Sequence, residues 1–171
     1  IDSLRVDWVR GNQPVPVSTW RSIGASQNAY FLACFIGELA AELGKDPCQF
    51  RRELLAHDAR ALKVIDTAAE LAIWDETLPV GKARGLAFFK SYKALSAQVA
   101  EVTLDDGRPV LHRVASALDC GAVVLPDAVR AQVEGSVIMG MSTALGEQVV
   151  IQNGAAVNTN FDGYQIMRMA D

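Results

Sequence analysis

Within STWRSIGASQNAYF, Ser18 to Phe31, a tryptophan, an arginine and a glycine share one short loop immediately ahead of a strongly apolar segment. The loop glycine Gly24, the first-turn amides near Ser26 and Gln27, and the permanently charged guanidinium of Arg21 together suit a bound anion. Trp20 would add a flat apolar wall. The competing reading of the same residues pairs Arg21 with an acid and sinks Trp20 into the core. Elsewhere, chemistry-bearing groups are sparse. His57 sits among charged residues and His112 lies in a strand-like stretch; neither accompanies a G-x-S-x-G elbow, so a Ser-His-Asp or Cys-His site is not expected. Asp105-Asp106 reads as hairpin-tip chemistry rather than metal ligation. Asp119-Cys120-Gly121 could be a functional strand-to-loop junction, although a core cysteine and a turn glycine explain it more simply. Cys34, Cys48 and Cys120 are widely spaced, lack C-x-x-C pairing, and read as small core residues.

These groups need elements to hold them. A helix is expected from Ser26 to Leu43, capped by Ser26, closed by Gly44 and largely buried. Asp46-Pro47 starts a second, short helix through Leu55, and a third runs from Ala59 to Trp74, ended by Pro79 and Gly81. The period then changes. Ala100, Val102 and Leu104 alternate with Glu101 and Thr103, residues 105–108 make a turn, and a strand follows from Val110 to Leu118. A long helix resumes at Pro126 and continues to about Leu145. Gly135 and Gly140 inside it each weaken a helix by roughly 1 kcal/mol relative to alanine, which calls for close packing or a close-approaching ligand. Gln132, one turn before Gly135, carries donors and an acceptor suited to the edge of a heterocycle. Asn153-Gly154 closes a last hairpin between residues 149–151 and 155–157. The expected class is α+β: helices over about 26–75, then a β-rich segment with one long helix over about 83–171.

With 171 residues, half of them apolar, the chain can bury one domain core. A net charge of −4 with scattered Lys and Arg offers no face for nucleic acid or anionic lipid. The apolar run from Ala29 to Gly37 stops at Glu38, short of the ~20 residues that span a bilayer. Ile1, in place of Met, opens a strand-like stretch (Leu4, Val6, Trp8), and Asp171 follows an apolar one, so the chain reads as part of something longer. No signal segment assigns a compartment, and both periplasm and cytoplasm stay open.

STWRSIGASQNAYFLACFIGELAAELGKDPCQFRRELL, followed in order by AQVAEVTLDDGRPVLHRVASALDCGAVVLPDAVRAQVEGSVIMGMSTAL, resembles the large, molybdopterin-binding subunit of the molybdenum hydroxylases, the xanthine dehydrogenase and aldehyde oxidoreductase family, of the isoquinoline 1-oxidoreductase type. The resemblance covers nearly the whole chain. It implies that Trp20, Arg21, Ser22, Ile23 and Gly24 lie against the cofactor, that Gln132 approaches the pterin, and that the cofactor takes the cytosine dinucleotide form. It also implies hydroxylation of an N-heterocycle or an aldehyde with water as the oxygen source, and electrons passed to iron–sulfur clusters on a partner subunit. The expected partners are therefore the remainder of the large subunit, the small iron–sulfur subunit and a small-molecule substrate, with a homodimer also open. The family's catalytic glutamate is expected beyond Asp171, so no catalytic residue is assigned here and the 171-residue chain alone is expected to be inactive. The alternative is a non-catalytic interaction or assembly module of the same ancestry.

Overall fold

The computed structural model describes Ser3, residues 5–12 and residues 15–168. The described residues form helices α1 (Ala25–Glu42), α2 (Pro47–Leu54) and α3 (Ala59–Leu71), strands β1 (Lys82–Ser91), β2 (Ala94–Asp105) and β3 (Arg108–Asp119), helix α4 (Pro126–Leu145), and a small hairpin β4 (Ile151–Gln152) and β5 (Ala155–Ala156). The expected α+β class holds. Strands β1, β2 and β3 make an antiparallel meander in that order.

Local chemistry sets most boundaries. Asp46 accepts the amide of Gln49 at 2.8 Å with its Oδ1 while Pro47 opens α2, and Asp58 caps α3 through the amides of Arg60 and Ala61. The same Asp46 accepts the Trp74 indole N–H at 2.9 Å with Oδ2, so one carboxylate starts α2 and fixes the chain after α3. Gly44, at φ +62°, ends α1 by donating to Ala41, and Lys45 donates to Ala40. Two-residue turns join the strands, with both central residues left-handed: Tyr92-Lys93 between β1 and β2, Asp106-Gly107 between β2 and β3, and Asn153-Gly154 between β4 and β5.

The core lies between α3 and one face of the sheet. Ala61, Val64, Ile65, Ala68 and Ala69 pack on Leu86, Leu95, Ala97, Val99, Ala115 and Ala117. The other sheet face carries Gly85, Ala87, Ala100 and Val102, and α1 and α4 flank a cleft over it. Arg84, Glu101 and Arg113 stand directly opposite one another across the three strands. Glu101 is buried and accepts Arg84 Nε at 3.1 Å, with Arg113 Nη1 at 3.8 Å. Both arginines also reach the C-terminal end of α3: Arg84 Nη1 donates to the carbonyls of Ile73, Trp74 and Glu76, and Arg113 Nη2 to that of Leu71. Cations at that end also suit the helix dipole. At the opposite end of α3, Arg60 pairs with Asp119 at 2.8 Å.

Several expectations need correction. Helix α1 is not largely buried: Ala40 is its one buried residue, and Phe31, Phe35 and Leu39 face outward. Ser26 is not its cap; Gly24 occupies that position without a side-chain bond, and Ser26 Oγ turns instead to Gln27 Oε1. Helix α3 stops at Leu71, three residues before Trp74, because Ile73 turns left-handed at φ 52°. Val6 and Trp8 belong to unpaired extended chain and are over 80% exposed, at 82% and 81%, rather than to a strand; Leu4 lies outside the described residues. Strand β1 was not foreseen. Of the cysteines only Cys48 is buried, and burial pushes its thiol pKa up; Cys34 and Cys120 are exposed. The interiors around Gly135 and Gly140 are open, with nothing near where a Cβ would sit, so packing within the described residues does not account for either glycine.

Replacing Glu101 with alanine leaves two arginines facing each other without their shared anion. The expected loss is about 3 kcal/mol in urea-induced unfolding, and a loss below about 1 kcal/mol would show that the ladder is not what holds α3 to the sheet.

Candidate cofactor-contacting site

The loop at residues 20–24 is a tight double turn. Ile23 donates its amide to Trp20 and Ala25 donates to Ser22, both at 2.9 Å. The left-handed residues are Ser22 (φ 66°) and Ile23 (φ 55°), whereas Gly24 has φ −89°. A β-branched side chain at positive φ costs of order 1–3 kcal/mol, and Ile23 shares that conformation with Ile73 at the end of α3. The value of Gly24 is therefore space, not conformation. A Cβ there would come within 3.3 Å of the Asn28 amide.

Arg21 is exposed, lies over the Trp20 ring at 5.6 Å, and directs Nη1 at the Met139 sulfur at 2.6 Å. A thioether is a weak acceptor for a group with five donors, and among the described residues Arg21 forms no ion pair with a carboxylate. No side chain caps α1, and while the Ala25 amide is taken by Ser22, those of Ser26 and Gln27 are left to a ligand. A guanidinium without a carboxylate ion pair, beside a helix start with no side-chain cap, fits an anionic group such as a phosphate. The alternative that buried Trp20 and paired Arg21 with an acid does not describe this loop, since Trp20 is half exposed.

The structure brings Trp20, Arg21, Ser22, Ile23 and Gly24 together and sets them against the C-terminal half of α4. Gln132 is exposed on the same helix, seven residues before Met139, which is about 10 Å along the axis. It does not join the loop cluster. Beyond Met139, the chain places Glu147 and Tyr164 within the electrostatic reach of Arg21. Tyr164 donates its hydroxyl to Glu147 at 2.7 Å; hydrogen bonds from Ser142 and Tyr164 hold the Glu147 carboxyl below its usual range, and the same bond pushes the Tyr164 phenol up. Nothing in the sequence flagged Met139, Glu147 or Tyr164, because Met139 meets Arg21 across 118 residues of chain.

The other candidates resolve into structure. His112 lies at the irregularity in β3 and shares a 2.8 Å hydrogen bond with Thr103, and the described residues contain no metal-holding cluster of His, Cys, Asp or Glu. Asp119 accepts from Arg60 and from the Gly121 amide at 3.0 Å, an arrangement for the turn and the α3 anchor rather than for catalysis.

The profile of the molybdopterin cofactor-binding domain matches residues 40–171. This chain belongs to that family. Its relatives include the beta subunit of isoquinoline 1-oxidoreductase from Brevundimonas diminuta, 34% identical, with the match covering 97% of this chain and 22% of the relative. The membrane-bound aldehyde dehydrogenase (pyrroloquinoline-quinone) of Gluconacetobacter polyoxogenes is 33% identical over 88% of this chain and 22% of its own. One of the subunits of nicotinate dehydrogenase from Pseudomonas putida is 32% identical over 90% and 15%. The chain thus spans about a fifth of the length of these relatives, and the resemblance to molybdopterin-binding subunits of the molybdenum hydroxylases holds over most of it. The loop at 20–24 precedes the region matched by the domain profile, whereas Gln132 and Met139 lie inside it. No helix among the described residues is long and apolar enough to cross a membrane.

The pair of Asp119 with Arg60 makes a pH prediction. Arg60 first, and the Gly121 amide second, lower the Asp119 pKa from 3.8 to about 2. A depressed carboxylate contributes stability that is complete above its unfolded value and is lost as pH falls toward the folded one. Between pH 4 and pH 2 the Tm of the wild type should therefore fall more steeply than that of Asp119→Asn; parallel curves would contradict the pairing.

Proposed function

We propose that this chain is the part of a molybdenum hydroxylase large subunit that supplies one wall of the cofactor site, with Arg21 as its principal contact. The carrying observation is the Arg21 guanidinium, held beside a helix start without a side-chain cap, lying over Trp20, donating to the Met139 thioether and forming no ion pair with a carboxylate among the described residues. In this reading Arg21 donates to an anionic oxygen or sulfur of the cofactor, and the first-turn amides of α1 add further donors. Trp20 shields that contact from water, which strengthens it. The strained Ile23 fixes the loop so that its backbone comes close where Gly24 carries no side chain. Gln132, two turns away on α4, would contact a different portion of the same elongated ligand.

The cofactor, when bound, supplies the two-electron redox chemistry of hydroxylation, and the protein orients it. The catalytic base, the substrate pocket and the iron–sulfur partner are assigned to polypeptide outside residues 1–171. Isoquinoline and nicotinate in the names of two relatives favour an N-heterocyclic substrate over an aldehyde, and the naming of both relatives as subunits favours assembly with a second polypeptide. The cytosine dinucleotide form of the cofactor is part of the same proposal.

Loss of one charge-assisted contact weakens binding on the order of 10- to 100-fold. In the full enzyme, Arg21→Ala should release molybdenum during dialysis far faster than the wild type, with Arg21→Lys between them. Equal retention in all three proteins would remove Arg21 from the site.

A further inference from the structure

Three elements each present a glycine to the cleft of about 710 Å³ over the second sheet face: Gly37 from α1, Gly85 from β1 and Gly140 from α4. At none of the three is any heavy atom within 4 Å of the place a Cβ would take. Ala33, Ala100 and Ala144 continue the small, apolar lining. Two of these glycines sit in helix interiors, where each costs roughly 1 kcal/mol relative to alanine and leaves room for a close approach to the backbone. The helices themselves point the same way. Helix α1 is apolar on its outward stripe of Phe31, Phe35 and Leu39 as well as on its cleft side, and α4 leaves Ile138, Met139 and Leu145 exposed. Large apolar side chains gathered on the outward side of a helix form surface that a partner would cover.

We infer that this cleft is the seat of an apolar segment of the same large subunit, drawn from the polypeptide outside residues 1–171, and that α1 and α4 become interior helices when it docks. The occupant follows from length: about four-fifths of each relative lies outside the matched region, enough to cover both helices. A small-molecule site fits less well, because the lining is mostly apolar and its Arg51, Arg84 and Ser136 are engaged with backbone carbonyls, which leaves Gln98 and Tyr30 rather than a converging polar set. The inference rests on the reading of the chain as part of a larger subunit, but not on the cofactor.

The test compares Gly140→Leu and Gly37→Leu in the 171-residue chain and in the complete subunit. In the short chain the space is open, so Tm should stay level or rise. In the complete subunit the leucine occupies the seat, and Tm should fall by more than about 5 °C. No difference between the two contexts would overturn the inference. So would a native polypeptide no longer than 171 residues, or a short chain that dimerises and loses its dimer on Gly140→Leu, which would make a second copy the occupant. Molybdenum measured on the same complete subunits separates the two readings: a context-dependent Tm loss in a metal-free protein would sustain the docking and refute the cofactor role.

Discussion

The cross-strand ladder of Arg84, Glu101 and Arg113 is the constraint from which the remaining architecture follows. A buried carboxylate between two guanidiniums gains little if its partners are left with unmet donors. Here the spare donors are taken by carbonyls at the end of α3, so one cluster both registers the three strands and clamps the helix to them. With Arg60 and Asp119 fixing the other end, α3 is committed to one sheet face and closes the only well-packed core among the described residues. The opposite face must then take α1 and α4.

That second face is built to a different standard. Its helices flank an open cleft to which each presents a glycine, and each keeps large apolar side chains in solvent. Buried Arg51 of α2 helps hold α1 to the body by donating to the Ala33 carbonyl at 2.9 Å. The loop at 20–24 sits at the free end of this arrangement, against Met139 on α4. A rigid half thus carries an under-packed half, and the anion-ready loop belongs to the latter.

What the sequence made legible was local. Asp46-Pro47, Asp106-Gly107, Asn153-Gly154 and Pro126 mark boundaries through their own backbone preferences, and the structure keeps each of them. Strand β1 escaped because its hairpin turns on Tyr92-Lys93, two residues without the usual left-handed preference, so no turn signal announced it. The exposure of α1 is not legible in the sequence, because an apolar composition tells how much surface a helix could bury and not what lies beside it within the described residues. The contiguous loop from Trp20 to Gly24 could be found by motif resemblance. Its partner Met139 could not, since the contact depends on how α4 is laid beside the start of α1. Likewise, alternation along β2 revealed a strand but not its buried side, because helices cover both faces; Leu95, Ala97 and Val99 point to the core, and Ala100 and Val102 to the cleft.

As one wall of a molybdenum cofactor site within a larger subunit, this chain would belong to a longer, metal-loaded polypeptide. The most direct measurement is the intact mass and molybdenum content of the natural protein, purified from its source with any polypeptide that accompanies it. The account predicts a polypeptide several times longer than 171 residues, carrying molybdenum and accompanied by an iron–sulfur subunit. A native chain ending at Asp171 and free of molybdenum would contradict it and leave a fold retained for assembly after the chemistry was lost.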